Sequence, residues 1–345
     1  MSGGVDSSVA ALLLKQQGYN IEGVFMHNWQ SDQDDRYCSA TQDLKDAKAI
    51  AEKLQIPLTI ISFAREYWDR VFQNFLDEYA AGRTPNPDIL CNKEIKFKAF
   101  LDYALEQGAD YIATGHYVRK DQKNDKYRLL KAKDKNKDQS YFLYTLNQQQ
   151  LKHSLFPLGD LQKSVVRRIA EQNGFINYNK KDSTGICFIG ERHFKTFLSE
   201  YLLNQPGEII TTEHKIIGKH DGLMFYTLGQ RKGLGIGGQK NAEEKPWYVA
   251  AKNLAKNQLI VTQEHDHPLL LSKSLTYKDS HFISGTAPTL PYPCTAKIRY
   301  HKPDEKCTII KVDMVEFEEP QWAITSGQSI VFYKNEECLG GGIIC

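Results

Sequence analysis

Ser2-Gly3-Gly4-Val5-Asp6-Ser7-Ser8 opens directly onto an apolar, helix-forming run that stops at Gly18. Its two glycines let backbone approach an anion closely, and the N–H groups of a helix start point at such an anion. Ser2, Ser7 and Ser8 add hydroxyl donors, and Asp6 is placed to hold Mg2+ against phosphates. The stretch lacks the Gly-Lys-Ser/Thr ending of a Walker-type loop, so hydrolysis of a terminal phosphate is not its natural chemistry. A capped helix after a loose N-terminus is the plainer alternative, because Ser and Asp are common at helix starts.

Outward from this loop, helix-like and strand-like segments alternate. Val9 to Gln17 reads as helix, Ile21 to Met26 as strand, Thr41 to Leu54 as helix and Leu58 to Ser62 as strand. Tyr67 to Ala81 forms an aromatic-rich amphipathic helix closed by Gly82, and a further helix from about Lys93 to Gln107 leads into a strand over Tyr111 to Thr114. Such βαβα order predicts an α/β fold, a parallel sheet with helices on both faces, whose ligands sit beyond the carboxyl ends of the strands. Helical pattern continues over Lys163 to Gln172 and Arg192 to Leu203. Beyond Pro206 the chain turns glycine-rich and β-prone, with strands expected at Trp247 to Ala251, Gln258 to Thr262, Cys294 to Tyr300, Cys307 to Phe317 and Ser329 to Tyr333. Three units follow: a catalytic domain over residues 1–197, a small β-rich central domain over 198–267 and a C-terminal β-barrel over 268–345. The glycines from Gly233 to Gly238 read as hairpin turns rather than a second phosphate site.

The 345 residues carry 44 Lys and Arg against 42 Asp and Glu, a balance that neither demands nor excludes a nucleic-acid partner. Basic runs at Lys131 to Lys137, Arg167-Arg168 and Lys180-Lys181 read, taken alone, as solvated faces. No apolar stretch approaches the roughly 20 residues of a membrane span, and no basic leader precedes the loop, so a cytoplasmic location is expected. Seven cysteines, odd in number and without a C-x-x-C pair, argue against a disulfide framework or a zinc site.

Two of the seven stand in informative surroundings. Cys91 ends the string Thr84-Pro85-Asn86-Pro87-Asp88-Ile89-Leu90-Cys91, in which two prolines fix backbone dihedrals. We read it as a rigid loop running into a helix, with the helix start and Lys93 both favouring a thiolate. Cys187 lies in Asp182-Ser183-Thr184-Gly185-Ile186-Cys187-Phe188, a turn-like context. For either cysteine an inert buried thiol is the alternative.

The opening string resembles the signature of the ATP pyrophosphatase (PP-loop) family, whose members cleave ATP between the α and β phosphates and adenylate a carbonyl oxygen. The cysteine strings, together with Ala113-Thr114-Gly115-His116-Tyr117, Lys137-Asp138-Gln139-Ser140-Tyr141-Phe142, Leu228 to Gly238, Arg299-Tyr300 and Gly327-Gln328-Ser329, resemble those of the bacterial tRNA 2-thiouridylase family in the same order across nearly the whole chain. Relatives carry a hydrophobic strand before the phosphate loop, whereas this chain opens inside the motif; a misplaced start is the expectation.

The resemblance implies that Ser2, Gly3, Gly4, Val5, Asp6, Ser7, Met26 and Gly115 contact ATP. It implies that Cys187 carries a persulfide, that Cys91 is the partner nucleophile and that Asp88 is the acid/base group. Asn86, Pro87 and Asp88 would touch the target base, while His116, Lys137, Asp138, Gln139, Arg299, Tyr300 and Gln328 would contact tRNA. The implied reaction makes the C2 oxygen of a wobble uridine an adenylate and replaces it with sulfur, in tRNAs for Lys, Glu and Gln. Cofactors would be ATP and Mg2+. Partners would be the anticodon stem-loop and a persulfide donor, either a cysteine desulfurase or a relay protein, with the chain acting as a monomer. Two other readings stand beside this one: a PP-loop ligase that needs neither cysteine, and a tRNA-binding protein without ATP chemistry.

Overall fold

The computed structural model describes residues 1–29, 40–182, 194–236 and 245–345. Cys38, Cys187 and Gly238 lie outside these residues.

Helix α1 (Val5–Gln16) starts from an extended Gly4. Its buried face, Val5, Val9, Ala10 and Leu12, packs with Ile50 and Leu54 of α2 (Ala40–Leu54) and with Val166 and Ala170 of a later helix over Lys163–Gln172. Burying such apolar stripes against each other, more than helix propensity, holds short helices in place. Strand β1 (Gly23–His27) pairs in parallel with β2 (Leu58–Ser62). Next comes a long helical rod, α3 (Ala64–Tyr67), a π-helical turn at Trp68–Phe72 and α4 (Gln73–Ala80). A second rod follows, α5 (Pro87–Cys91), a π-helical stretch at Asn92–Ala99 and α6 (Phe100–Glu106). Strand β3 (Ile112–Ala113) then pairs in parallel with β6 (Ser154–Leu155).

The helix-covered parallel layer expected from the βαβα order is present, but divided into two two-stranded ladders, β1–β2 and β3–β6. The phosphate loop bridges the gap. On one side the Met1 nitrogen donates to the Val24 carbonyl of β1, and on the other Gly115, just after β3, lies against Asp6 and Ser7.

Between β3 and β6 the chain makes a hairpin, β4 (Val118–Lys123) and β5 (Lys126–Lys131), whose turn residues Asn124 and Asp125 both have positive φ. Paired positive φ values suit a tight hairpin turn that follows the twist of its strands. Short helix α7 (Gln148–Lys152) precedes β6, and α8 (Lys163–Gln172) and α9 (Phe194–Ser199) follow it. Two antiparallel ladders flank one parallel pair in the middle sheet, with order β8 (Ile216–His220), β7 (Gly207–Thr211), β10 (Gln258–Thr262), β9 (Tyr248–Asn253). The last unit is a closed antiparallel ring of six strands, β11 (Leu271–Phe282), β14 (Met314–Trp322), β13 (Glu305–Lys311), β12 (Tyr292–Lys297), β15 (Ser329–Lys334) and β16 (Glu337–Ile344), sealed by the pairing of β16 with β11. Closure leaves no free edge within the ring, yet β16 also takes β5 from the first unit as an outer neighbour.

Candidate active site: a phosphate cradle beside a capped thiol helix

Gly3 sits at φ +73°, and a side chain there would meet the Asp43 carbonyl oxygen at 2.3 Å, so only glycine lets the loop pass. Gly4 caps α1 without a side chain, leaving the first-turn N–H groups uncovered by any capping side chain. Ser7 Oγ and Ser8 Oγ both donate to the Gly4 carbonyl, at 3.1 and 3.0 Å, and Ser2 N donates to Ser7 Oγ at 3.1 Å. A Cβ on Gly115 would stand 2.8 Å from the Asp6 carbonyl carbon and 2.9 Å from Ser7 N. The predicted nucleotide residues Ser2 to Ser7 and Gly115 thus form one tight cradle, while Met26 lies at the far end of β1, packed on the aromatic cluster described below.

Charge around the cradle is supplied by residues that no motif singles out. Lys163, nearly buried at the start of α8, donates to both Asp6 carboxylate oxygens at 2.7 Å and lies 2.7 Å from Asp182 Oδ1. Tyr117 OH also donates to Asp6, at 2.7 Å. Burial and then the Asp6 carboxylate push the Tyr117 phenol well above its usual range, so it stays a donor. Asp182 gathers Lys137 at 2.7 Å and Arg167 at 3.0 Å as well. Burial works against its carboxylate, but hydrogen bonds from Lys137 and Lys163 and their charge outweigh it and hold the pKa at about 2. Asn177 and Lys180 fasten the Gly3 carbonyl at 3.0 and 3.3 Å, and Lys180 also holds Asp43 and Asp46. In sequence Arg167 and Lys180 stood out only as members of basic pairs, and Lys163 carried no signal beyond its place at a helix start.

Cradle geometry fits a polyphosphate: glycine backbone and uncapped N–H groups line it with the exposed Ser2–Ser7 hydroxyl pair beside them, whereas Ser8 is fully buried and bonded to Gly4 and Asn177. It does not fit a protein-held Mg2+, because both Asp6 oxygens already accept from an ammonium, and among the described residues no three His, Cys, Asp or Glu side chains converge on a metal position.

The thiol element differs from expectation. Asn86 is the N-cap, its side chain accepting from Ile89 N at 3.3 Å, and Pro87 takes the first helical position. Helix therefore begins at Pro87 rather than Lys93, placing Asp88 in the first turn and Cys91 beyond it, on the same face. Cys91 is 7% exposed, in a cluster with Tyr67, Phe72, Phe75 and Tyr79. Lys93 points outward, 3.9 Å from Glu94. The neighbouring Asn92 donates to the Phe142 carbonyl at 3.2 Å, while its buried Oδ1 finds no partner among the described residues. Asp88 is exposed at the surface, yet the chain packed around its carboxyl keeps enough water away to raise its pKa, opposed by the Lys96 ammonium.

Three consecutive residues join cradle and thiol helix. Gly115 lies against Asp6, Tyr117 bonds it, and between them His116 faces Phe97, its ring 5.8 Å away, with Nδ1 2.8 Å from Thr114 Oγ1. Burial, then the Lys96 charge, holds His116 neutral well below its ordinary pKa.

Several expected RNA contacts are turned to internal use. Asp138 is buried and accepts from Ala132 N, Ser140 N and Ser140 Oγ at 3.0, 3.2 and 2.9 Å. Gln139 pairs with the Tyr117 backbone in both directions, at 2.9 Å each. Arg299 Nη2 donates to the Leu228 and Ala323 carbonyls and to Thr325 Oγ1 at 2.9–3.0 Å, and burial lowers its pKa. Tyr300 packs on Phe142, ring centres 4.4 Å apart. Gln328 donates to the Thr84 carbonyl at 2.8 Å, and Thr84 N in turn donates to the Ser326 carbonyl at 2.9 Å. All three units therefore meet on the strand of chain that leads into Asn86 and the thiol helix.

Family models match the chain in three consecutive blocks: a tRNA methyl transferase HUP domain over residues 1–191, a tRNA methyl transferase PRC-barrel domain over 195–263 and an aminomethyltransferase beta-barrel domain over 272–344. Proteins named tRNA-specific 2-thiouridylase MnmA are similar over 100% of this chain. Those from Coxiella burnetii (strain RSA 493 / Nine Mile phase I), Haemophilus influenzae (strain KW20 / Rd) and Nitrosococcus oceani are 59%, 60% and 60% identical, and the match covers 96%, 91% and 95% of their lengths. The chain belongs to the tRNA-specific 2-thiouridylase family. Membership accounts for the division into a HUP unit, a PRC-barrel unit and a β-barrel, and use of ATP goes with the HUP unit and its phosphate cradle. Among the described residues no helix is long and apolar enough to cross a membrane.

Proposed function

We propose that this chain is an ATP-dependent tRNA-specific 2-thiouridylase, replacing the C2 oxygen of a wobble uridine with sulfur. The observation that supports this reading is the position of the described residues that flank Cys187. Asp182, just before it, is tied through Lys163 to Asp6 of the cradle, and Phe197, just after it, packs in the cluster that holds Cys91. The described residues on either side of Cys187 thus reach the phosphate cradle in one direction and the Cys91 cluster in the other.

The uracil C2 carbonyl is a poor electrophile and its oxygen a poor leaving group. Attack of that oxygen on the α-phosphorus of ATP releases pyrophosphate and turns the oxygen into part of an AMP leaving group. The first-turn N–H groups of α1, the serine hydroxyls and Lys163 would balance charge on the phosphates. Mg2+ would arrive on the triphosphate, since Asp6 is already occupied by Lys163 and Tyr117. The terminal sulfur of a Cys187 persulfide then attacks C2 and AMP departs. Cys91 attacks the inner Cys187 sulfur, freeing the thio-product and leaving a Cys91–Cys187 disulfide to be reduced by cellular thiols. Asp88, with its raised pKa, would exchange the proton at the base. The base must leave its stack, which an unpaired anticodon loop permits at a cost of about a few kcal/mol.

Incubation with ATP, Mg2+, sulfide and anticodon stem-loop RNA, followed by nucleoside mass spectrometry, tests this. 2-Thiouridine together with AMP is the expected product. AMP release without thiolated nucleoside would favour a ligase.

A further inference from the structure

Strands β12 and β13 place Cys294 directly opposite Cys307, and their sulfur atoms are 3.6 Å apart. Residues facing each other across antiparallel strands have Cα atoms about 4.5 or 5.5 Å apart, and both spacings lie within the range a disulfide spans. Closing the bond shortens the 3.6 Å between the sulfurs to about 2.05 Å. Their separation in sequence gave no hint of this, since neither neighbours the other and no C-x-x-C occurs.

The pair is asymmetric. Cys307 is 4% exposed and faces the barrel core beside Ile309 and Phe317, whereas Cys294 is half-buried at its margin. The hydrogen bond with Cys294, and then burial, push the Cys307 thiol up, making it the poorer first nucleophile. We propose that Cys294 and Cys307 form a thiol-modification site that reacts with low-molecular-weight disulfides to close a reversible cross-strand bond. The Cys294 thiolate attacks one sulfur of oxidised glutathione, forming a mixed disulfide and expelling one glutathione thiolate. Cys307, giving up its proton to solvent, attacks the Cys294 sulfur, forming the Cys294–Cys307 bond and expelling the second. Two protein thiols are oxidised and one glutathione disulfide becomes two thiols.

The bond would sit at the third rung of the β12–β13 hairpin, behind Ala296–Glu305 and Thr295–Lys306. Beyond those rungs the tip carries Arg299 and Tyr300, so closing the bond stiffens the connection that bears them.

Full-length protein treated with oxidised glutathione, then digested without reductant, should yield a peptide pair linked through Cys294 and Cys307 that dithiothreitol separates. Cys307→Ser should instead stop with glutathione on Cys294. Amide exchange over β12, β13 and their connection should slow about tenfold in the linked protein and recover on reduction. A wild-type protein that retains glutathione on Cys294 without forming the link, or that leaves both thiols unmodified while Cys345 reacts, overturns the proposal. Should Cys307→Ser fold poorly, Cys294→Ser serves: glutathione found on its Cys307 overturns the assigned order of attack.

Discussion

The Lys163 ammonium donates to both oxygens of the Asp6 carboxylate at 2.7 Å, although 157 residues separate them in the chain. This contact ties the phosphate loop to α8, and through Asp182 to the residues that lead toward Cys187.

Replacing Lys163 with Met should leave the Asp6 carboxylate with Tyr117 as its remaining described side-chain donor, close to the Asp182 charge. We expect a loss of stability on the order of 2 kcal/mol by thermal unfolding. ATP–pyrophosphate exchange should fall more than tenfold, because the loop loses its cation as well as its anchor.

Gly115→Ala puts a methyl group within 3 Å of the loop backbone at Asp6 and Ser7. The loop must shift, and KM for ATP should rise about tenfold or more, with RNA affinity in a filter-binding assay unchanged. An unaltered KM for ATP would remove Gly115 from the nucleotide site.

Cys91→Ser and Cys187→Ser should each abolish 2-thiouridine while leaving single-turnover AMP formation within about threefold of the parent, as expected if the thiols act after adenylation. Equal loss of both products would place them earlier.

Lys96 lowers the Asp88 pKa that burial raises. Lys96→Met should therefore move the acid limb of the single-turnover thiolation rate to higher pH. Asp88→Asn should flatten that limb and slow the step by two orders of magnitude or so.

Lys252 on β9 donates to the Gly82 carbonyl at 2.8 Å, and burial lowers its pKa to about 8. The unfolded chain keeps that proton up to about pH 10.4, so between these values the unfolded state binds more protons and this group's contribution to stability rises with pH. The melting temperature of the parent should rise relative to that of Lys252→Met between pH 8 and 10.

Much of this fold was legible in sequence because local signals and tertiary packing agree. The loop at Ser2 to Ser8, β2 at Leu58 to Ser62, α8 at Lys163 to Gln172 and β10 at Gln258 to Thr262 fall where periodicity and turn residues put them. Misses have specific causes. The run from Cys307 to Phe317 is two strands because the chain turns at Val312-Asp313 without glycine or proline, and β16 was passed over because Gly340, Gly341 and Gly342 are weak strand formers. The helix starts at Pro87, inside a stretch whose two prolines suggest loop, although Asn86 followed by proline is itself a cap signal. Within the site, glycines and cysteines announced themselves by type and context. Lys163, Tyr117 and Asp182 did not, because their significance lies in partners distant in the chain. Arg299, Asp138 and Gln328 show the converse: a motif can single out a residue without revealing which way its side chain turns.

Strand β5 finds its outer neighbour in β16, about two hundred residues later. During synthesis the β4–β5 hairpin therefore emerges long before the strand that covers it, and must wait beside the ribosome with one edge uncovered until β16 appears. Translation that stops before Glu337 would strip the ring of its closing strand and leave that early hairpin open to pairing with other chains.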